Sequence, residues 1–153
     1  MPPVELIHAN AVAVRSPGPH GGWRGVLLTG DSGAGKSDLS LRLMQAGWRL
    51  VGDDYVHIWS AGGRLYARAP ETLAGRVEVR GVGIVSAAHL DLARVVLAVR
   101  CVDRPPERLP EPAFETLAGV RLPQLEIEAL QPGAPARLAA ALRSLGQGGP
   151  LAY

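Results

Sequence analysis

The phosphate-binding chemistry of this chain is concentrated in one glycine-rich run, GDSGAGKS, at residues 30–37. Its spacing matches the pattern G-x-x-x-x-G-K-[ST], in which backbone N–H groups and a lysine ammonium surround phosphate oxygens. Lys36 is the single lysine among 16 basic residues, and all the others are arginine. Because a compact ammonium enters a phosphate loop where a planar guanidinium does not fit, this exception favours the binding of a nucleoside triphosphate.

The whole run is predicted to contact the nucleotide phosphates, and its members are Gly30, Asp31, Ser32, Gly33, Ala34, Gly35, Lys36 and Ser37. The lysine is expected to reach the outer phosphates, and the serine hydroxyl is expected to bind Mg²⁺. The alternative is a glycine-rich turn that matches the pattern by chance. The flanking residues disfavour it, because a strand before the loop and a helix after it direct backbone N–H groups at phosphate.

A pair of adjacent carboxylates, Asp53 and Asp54, is the next group that could do chemistry. The pair ends a short apolar strand that comes just after the helix following the loop. A carboxylate in that position can hold Mg²⁺ directly or through water, and its neighbour can act as the base for an incoming hydroxyl. The alternative is a polar turn before a hairpin, where adjacent aspartates are common.

Glu78 and Arg80 lie two apart on a predicted strand and therefore share one of its faces. Charges on a strand face are usually solvated. However, Gly81 and Gly83 weaken a strand unless something approaches it closely, which favours a functional site in this segment. His8, considered alone, is more typical of a structural histidine.

The elements that must position these residues alternate between strands and helices. Residues 25–29 and 48–51 are short apolar runs that predict strands before the loop and before the aspartates, and 38–46 has the apolar spacing of a helix. The remaining predictions are strands at 4–14, 77–85, 93–102 (central) and 125–130 (edge), a hairpin at 55–59 and 64–68, a helical turn at 71–74, a helix at 136–145, and loops at 15–24 and 103–112. This pattern predicts one mixed α/β domain over residues 1–153, richer in strands than a doubly wound sheet.

The composition restricts the class of protein and its partners. The chain has 153 residues, of which 47% are hydrophobic, enough for the core of one domain. The net charge is +2 and aromatic residues make up 5%, without the basic and aromatic stripe of a nucleic-acid groove. The single cysteine, Cys101, is a predicted core residue and cannot form an internal disulfide. These features, with no apolar run of membrane-spanning length, predict a cytoplasmic protein without nucleic-acid or membrane partners.

Taken in order, the segments resemble the catalytic domain of the HPr kinase/phosphorylase family. That family combines a histidine, a G-D-S-G-x-G-K-S loop, the sequence R-L-V-x-D-D and a strand of the form E-[IV]-R-G-x-G-I. Here these read His8, GDSGAGKS at 30–37, RLVGDD at 49–54 and EVRGVGI at 78–84. The last segment is the specific one, since many unrelated ATPases have the loop. The resemblance is to the short alphaproteobacterial form, which lacks the N-terminal domain.

The resemblance implies a fold, a reaction and a set of roles. The fold is the P-loop α/β domain shared with phosphoenolpyruvate carboxykinase, a mixed sheet with flanking helices. The reaction is ATP- and Mg²⁺-dependent phosphorylation of a serine on HPr, a phosphocarrier of the sugar phosphotransferase system, which regulates carbohydrate metabolism. The implied catalytic residues are Asp54 as base, Lys36 as the cation on the transferring phosphoryl group, His8 and Arg108, and the metal contacts are Ser37 and Glu78, beside Asp53.

Two departures from the family pattern and two alternative functions bear on this expectation. Residues 15–24 lengthen the connection before the loop, and residues 131–135 (QPGAP) lack the basic side chain that the long enzymes have in a stretch linked to phosphorolysis. The sequence therefore predicts the kinase reaction, disfavours its reversal, and leaves a homo-oligomer open.

A kinase for another peptide or small-molecule hydroxyl would have the same site. A module that binds ATP without turnover is a third option, against which the candidate base and metal ligands argue.

Overall fold

The strand that leads into the phosphate loop lies inside a nine-stranded mixed sheet. The structure, a computed structural model, describes residues 3–17 and 21–146. In chain order its elements are β1 (Glu5–His8), β2 (Asn10–Arg15), β3 (Trp23–Thr29), α1 (Lys36–Gln45), β4 (Arg49–Gly52), β5 (Tyr55–Ala61), β6 (Arg64–Arg68), a 3₁₀ turn (Glu71–Leu73), β7 (Arg76–Val79), β8 (Gly83–Ser86), β9 (Ala93–Val102), β10 (Ala113–Leu117), β11 (Val120–Glu128) and α2 (Ala134–Gly146).

Strand β9 organises the sheet because three other strands pair with it. Along one edge it pairs in parallel with β3. Along the other edge, its first residues pair antiparallel with β6 and its last residues pair in parallel with β11. The sheet continues from β6 through β5 to β1, from β3 through β2 to β4, and from β11 to β10. The result is a mixed sheet with helices packed against it, as the sequence predicted.

Alternating apolar residues hold β3, and with it the start of the loop, in one register. Val26 and Leu28 lie in a buried cluster with apolar residues of both helices, whereas Leu27 lies in a second cluster with residues of β5 and β6. All three side chains are fully buried. A slip of one residue would move each of them to the wrong face of the sheet, so the end of β3 has a fixed position.

Most of the predicted elements are confirmed. Residues 4–14 contain the two short strands β1 and β2, and β5 and β6 form the predicted hairpin. The predicted central strand is β9, whose β-branched and apolar run is buried along most of its length. Cys101 near its end is buried, as expected.

The prediction of one strand over residues 77–85 is wrong. This segment is a hairpin, in which β7 pairs antiparallel with β8. Gly81 has φ 82° and Gly83 has φ 117°, and these left-handed angles turn the chain back instead of bending a continuous strand. Arg80 therefore lies in the turn and does not share a strand face with Glu78.

The prediction of an edge strand at 125–130 is also wrong. The strand begins earlier, as β11, and lies between β9 and β10, which the sequence did not predict. Ala118 (φ 48°) and Gly119 (φ 79°) form the tight turn between β10 and β11. Pro123 precedes the residues that pair with β9, so its missing N–H group removes no bond to that strand.

The helices and the second loop differ from prediction at their ends. Both helices begin two residues early, α1 because Gly35 caps the loop and α2 because Pro135 is tolerated in a first turn. Gly146, the predicted stop, is the last residue of α2. The predicted loop at 15–24 is shorter, since β3 begins at Trp23, and residues 18–20 lie outside the described residues. Within the described ranges, no helix is long and apolar enough to cross a membrane.

Candidate active site

The phosphate loop connects β3 to α1 through three glycines whose backbones other residues rarely adopt. Gly30, Gly33 and Gly35 have φ angles of 129°, 83° and 99°. Gly30 also lies against β9, where an added Cβ would overlap the carbonyl oxygen of Cys101. The first helical hydrogen bond runs from the Leu39 amide to the Gly35 carbonyl at 2.8 Å, so α1 begins directly at the end of the loop.

Lys36 is held inside the loop. Its side chain is buried, and Nζ donates to the carbonyl oxygens of Gly30 at 2.7 Å and Asp31 at 3.0 Å. These two bonds close the loop around the ammonium and keep its charge at the loop's centre. A cation in that position can neutralise negative charge that develops on a phosphoryl group.

Ser37 and Asp53 meet at the start of α1. The Ser37 hydroxyl donates to Asp53 Oδ1 at 3.1 Å, and the other carboxylate oxygen of Asp53 accepts from the Glu78 amide at 3.2 Å. Asp53 directly follows β4, which pairs with β2 beside the loop strand. The structure therefore places two of the predicted metal contacts within hydrogen-bond distance of each other and brings the third, Glu78, next to them.

Asp54 has a left-handed backbone, with φ 69°, and three consecutive residues make hydrogen bonds with its carboxylate and its backbone. His8 Nε2 donates to its carboxylate at 2.7 Å. The Ala9 amide donates to its carbonyl oxygen at 3.0 Å, and the side-chain oxygen of Asn10 accepts from its amide at 3.1 Å. A strained backbone persists where its surroundings fix it, and such residues are common in active sites.

The carboxylate of Asp54 is accessible from solvent. Its side chain is 59% exposed and that of His8 is 42% exposed. The His8 ring also packs against Tyr55, with ring centroids 5.2 Å apart. An exposed carboxylate in a fixed position, with an imidazole bound to one oxygen, can receive a proton from a hydroxyl that approaches from outside.

Asn10 is the residue of this site that sequence reasoning missed. It is fully buried, and its side-chain nitrogen donates to Asp53 Oδ1 at 2.8 Å. The available signal was a polar residue inside the apolar run of residues 9–14. A buried amide needs partners, and those partners come from other parts of the chain.

Arg80 and Arg108 are not part of this cluster. Arg80 is in the turn between β7 and β8, and Arg108 is exposed on the connector between β9 and β10. Among the described residues, neither side chain makes a hydrogen bond or ion pair with the loop or the two aspartates. The catalytic role that the sequence implied for Arg108 stays a prediction.

A cleft of about 770 Å³ opens beside the first half of the phosphate loop. Its walls are residues 29–34, at the end of β3 and in the loop, residues 100–104, at the end of β9 and just after it, and Glu115 and Glu126. Arg104 bridges this wall by donating to Glu126 at 2.7 Å. The cleft is large enough for part of a nucleotide, and sequence reasoning predicted only its loop side.

The donor set near the loop fits a hard divalent cation. Mg²⁺ prefers oxygen ligands and is commonly held by one or two carboxylates together with substrate phosphates. Ser37 and Asp53 supply a hydroxyl and a carboxylate, and Glu78, whose backbone amide binds Asp53, is the residue next to them that carries a second carboxylate. Across the described residues, no group of three or more His, Cys, Asp and Glu side chains forms a self-contained metal site.

The comparison with known families agrees with this geometry. Residues 21–98, about half of the chain, match the family described as HPr Serine kinase C-terminal domain. The chain belongs to this family. The match includes the loop, both aspartates and the β7–β8 hairpin.

Curated members of the HPr kinase/phosphorylase family match at moderate identity over part of their length. The chain is 47% identical over 66 residues to the HPr kinase/phosphorylase of Clostridium beijerinckii. The aligned segment covers 43% of this chain and 22% of that protein. It is 40% identical over 110 residues to that of Leptothrix cholodnii, covering 63% of this chain and 34% of that protein. The chain thus matches between about a fifth and a third of the length of these relatives.

A solved member of the HPr kinase family has the same fold. The Hpr(Ser) kinase/phosphatase from Coxiella burnetii superposes with a TM-score of 0.77, covering 94% of this chain and 92% of that chain. The sequences are 24% identical, so this match concerns the fold. It confirms the predicted HPr kinase type of α/β domain, with a curled mixed sheet and, in the described part of the chain, two α-helices.

Proposed function

We propose that this protein is an ATP- and Mg²⁺-dependent kinase that phosphorylates a serine of an HPr-type phosphocarrier protein. Membership of the HPr kinase family supports the proposal. The observation that carries it is the division of the aspartate pair. Asp53 is bound to the loop serine, and Asp54 is bound to His8 on the exposed side. A metal-side carboxylate and an accessible base beside a phosphate loop are the parts that phosphoryl transfer to a hydroxyl requires.

The metal side of the site consists of Ser37, Asp53 and Glu78. When bound there, Mg²⁺ neutralises phosphate charge and orients the transferring group. Ser37 and Asp53 are prearranged by their hydrogen bond at 3.1 Å, and Glu78 is tied to Asp53 through its backbone amide. These residues would hold the metal of the metal–nucleotide complex beside the loop that contains Lys36.

The base side of the site consists of Asp54 and His8. The proton of the acceptor serine passes to the Asp54 carboxylate while the serine oxygen bonds to the γ-phosphorus and the bond from phosphorus to ADP breaks. His8 donates to one oxygen of Asp54 and leaves the other to face the acceptor. Because more than half of the Asp54 side chain is exposed, a serine on the surface of another protein can reach it.

Lys36 acts on the charge of the transferring group. Its ammonium is fixed by the Gly30 and Asp31 carbonyls, so it needs little reorganisation to stabilise the charge of the transition state. No other lysine exists in the chain to take over this role.

The kinase direction is the proposed activity. The connection between β11 and α2 lacks the basic residue that the family resemblance associates with phosphorolysis, and Gln131 within it instead accepts a hydrogen bond from Arg42 through its carbonyl oxygen. A cytoplasmic location and an assembly of several copies accompany the proposal as predictions.

The experiment that tests the proposal measures phosphate transfer from labelled ATP, with Mg²⁺, to purified HPr from the same genome. HPr with its candidate serine changed to Ala is the control, and the expected result is transfer that this control abolishes. Adding inorganic phosphate to the phosphorylated HPr then tests the reverse reaction, for which no release is expected.

The other outcomes distinguish the alternatives. Nucleotide binding without transfer to HPr, but with transfer to another peptide or small-molecule hydroxyl, would identify a related kinase with a different acceptor. Binding without turnover of any acceptor would identify an ATP-sensing module. Either result would overturn the proposed acceptor.

A further inference from the structure

Asn10 is the first residue of β2 and directly precedes its buried apolar residues. It is one of three buried polar or charged residues in the described part of the chain. It precedes Ala11, Val12 and Ala13, which all belong to the core. Burying an amide costs free energy unless all its polar atoms find partners. The buried amide of Asn10 therefore needs hydrogen-bond partners where β2 begins, next to the site.

The partners of Asn10 come from both sides of the site. Its nitrogen donates to Asp53 Oδ1 at 2.8 Å, to Ser40 Oγ at 3.1 Å and, more weakly, to Ser37 Oγ at 3.4 Å. Its oxygen accepts from the Asp54 amide at 3.1 Å. The donor end therefore faces the metal side, and the acceptor end faces the backbone of the base.

We infer that Asn10 is a positioning residue that couples the metal side of the site to its base side. This inference rests on the proposed function. One amide sets the Asp53 carboxylate beside Ser37 and also holds the left-handed backbone of Asp54. An amide carries donor and acceptor at opposite ends, whereas a carboxylate carries acceptors alone and an aliphatic residue carries neither.

The coupling has a consequence for phosphoryl transfer. The distance between metal and base depends on both aspartates, and a small displacement of a positioned group can reduce a rate strongly. Asn10 makes no hydrogen bond to Lys36 or to the glycines of the loop, and its one bond to a loop side chain is the weak one to Ser37 at 3.4 Å. Binding of the nucleotide phosphates without metal is therefore expected to depend little on it. Its loss should therefore affect metal use and turnover and leave metal-free nucleotide affinity in place.

The test replaces Asn10 by Leu, which has the same branched arrangement of heavy atoms and no polar atoms, and by Thr as a milder change suited to a strand. Three quantities are measured for each: the Mg²⁺ concentration for half-maximal transfer to HPr, kcat, and the affinity for a fluorescent ADP analogue in EDTA. For Asn10→Leu we expect the Mg²⁺ requirement to rise and kcat to fall, each by about tenfold or more, as for other residues that orient metal ligands. The nucleotide affinity in EDTA is expected to be unchanged. The Mg²⁺ requirement and kcat of Asn10→Thr should lie between those of Asn10→Leu and the wild type.

Ser40→Ala is the matched structural control. Ser40 is also fully buried and bonds to Asn10, but it donates to the Lys36 carbonyl oxygen and makes no hydrogen bond to either aspartate. We expect this variant to lose thermal stability while keeping the wild-type Mg²⁺ requirement. A purely structural role for Asn10 predicts that Asn10→Leu and Ser40→Ala differ from wild type in the same way.

The outcomes separate this inference from the proposed function. If Asn10→Leu keeps the wild-type Mg²⁺ requirement and kcat, or changes them only as Ser40→Ala does, the inference is overturned while the kinase assignment stands. If Asn10→Leu does not fold, the same comparison is made with Asn10→Thr. If the wild-type protein binds nucleotide with Mg²⁺ but transfers nothing to HPr, the proposed acceptor is overturned. The role of Asn10 is then decided by whether Asn10→Leu changes the Mg²⁺ dependence of nucleotide binding. A wild-type protein that binds no Mg²⁺-nucleotide overturns both.

Discussion

The carboxylates of Asp53 and Asp54 bind different partners although the residues are adjacent. Asp53 accepts from the Ser37 hydroxyl at 3.1 Å, whereas Asp54 accepts from His8 Nε2 at 2.7 Å. Asp54 has a left-handed backbone, with φ 69°, and lies in the bend between the end of β4 at Gly52 and the start of β5 at Tyr55. Each carboxylate thus has its own surroundings, which is the arrangement that two separate roles in one reaction require.

The two aspartates are therefore expected to give different phenotypes when each is changed to Asn. Asp54→Asn removes the proposed proton acceptor and should lower kcat for transfer by a factor of about 100 or more, with nucleotide affinity retained. Asp53→Asn removes a negative charge beside Ser37 and should raise the Mg²⁺ concentration for half-maximal transfer. Steady-state kinetics over a Mg²⁺ series, together with nucleotide titration, measure both. Full activity in the Asp54→Asn variant would show that another group takes the proton.

Lys36 is expected to be essential for its shape as well as its charge. Lys36→Met keeps the length of the side chain and removes the ammonium, so nucleotide affinity should fall by about 10- to 100-fold, as for the loss of a charge-assisted hydrogen bond. Lys36→Arg keeps the charge, but a forked guanidinium does not fit the bonds to Gly30 and Asp31, and a similar loss is expected. Titration of a fluorescent nucleotide measures both, with thermal unfolding as the check on folding. Wild-type affinity in Lys36→Arg would mean that charge alone is sufficient.

The parts of this site that could be predicted from sequence are those encoded in local patterns. The loop is recognisable because its glycines, lysine and serine occur at fixed spacing, and β9 because its apolar, β-branched run is long. The position of Asp53 follows from the apolar strand directly before it. In each of these cases the decisive residues lie within one or two elements of one another.

The parts that could not be predicted depend on contacts between distant residues. Asn10 meets its partners across 27 to 44 residues of sequence, and nothing near it in the chain indicates which groups satisfy its amide. The β7–β8 hairpin was missed because a glycine can bend a strand or reverse it, and the local sequence does not distinguish the two. The inner position of β11 is not predictable locally, because its pairing with β9 passes over the whole of β10 in the sequence.

Gly30 is expected to tolerate a side chain less well than Gly33, although both have a positive φ. Gly30→Ala combines an unfavourable backbone at φ 129° with overlap of the Cys101 carbonyl oxygen. We expect it to lower the free energy of unfolding by about 3 kcal/mol or more. Gly33→Ala meets no atom within 4 Å, so only backbone strain of about 1–2 kcal/mol applies. Urea denaturation compares them, and equal losses would show that the contact with β9 is not the limiting factor.

Arg42 ties α1 to the segment that joins β11 and α2. Its guanidinium donates to the carbonyl oxygens of Ala129 and Gln131 and also pairs with Asp38 one helical turn earlier. Arg42→Lys keeps the charge but cannot serve both carbonyls, and a loss of about 1–3 kcal/mol in unfolding free energy is expected. Asp38→Asn breaks only the exposed ion pair and should cost about 0.5 kcal/mol or less. If the two variants lose the same stability in urea denaturation, the contacts to the carbonyls contribute nothing beyond the ion pair.

Cys101 should make the stability of this protein fall at alkaline pH. Burial raises the pKa of its thiol from 9.0 to about 11, although the positive charges of Lys36 and Arg42 act to lower it. Between pH 9 and 11 the unfolded chain releases the thiol proton while the folded chain keeps it, so the unfolded state gains stability as pH rises. At pH 10 this amounts to about 1 kcal/mol. Cys101→Ala lacks the effect and shares every other titrating group with the wild type.

The measurement is urea unfolding of both proteins at pH 8 and pH 10. The stability of the wild type relative to Cys101→Ala is expected to be smaller at pH 10 by about 1 kcal/mol, independently of the cost of the cavity that the alanine leaves. Slow alkylation of the native thiol by iodoacetamide at pH 8, with fast alkylation in urea, is the expected companion result. A stability difference that stays constant between the two pH values would mean that the thiol ionises as readily at its site beside the phosphate loop as it does in the unfolded chain.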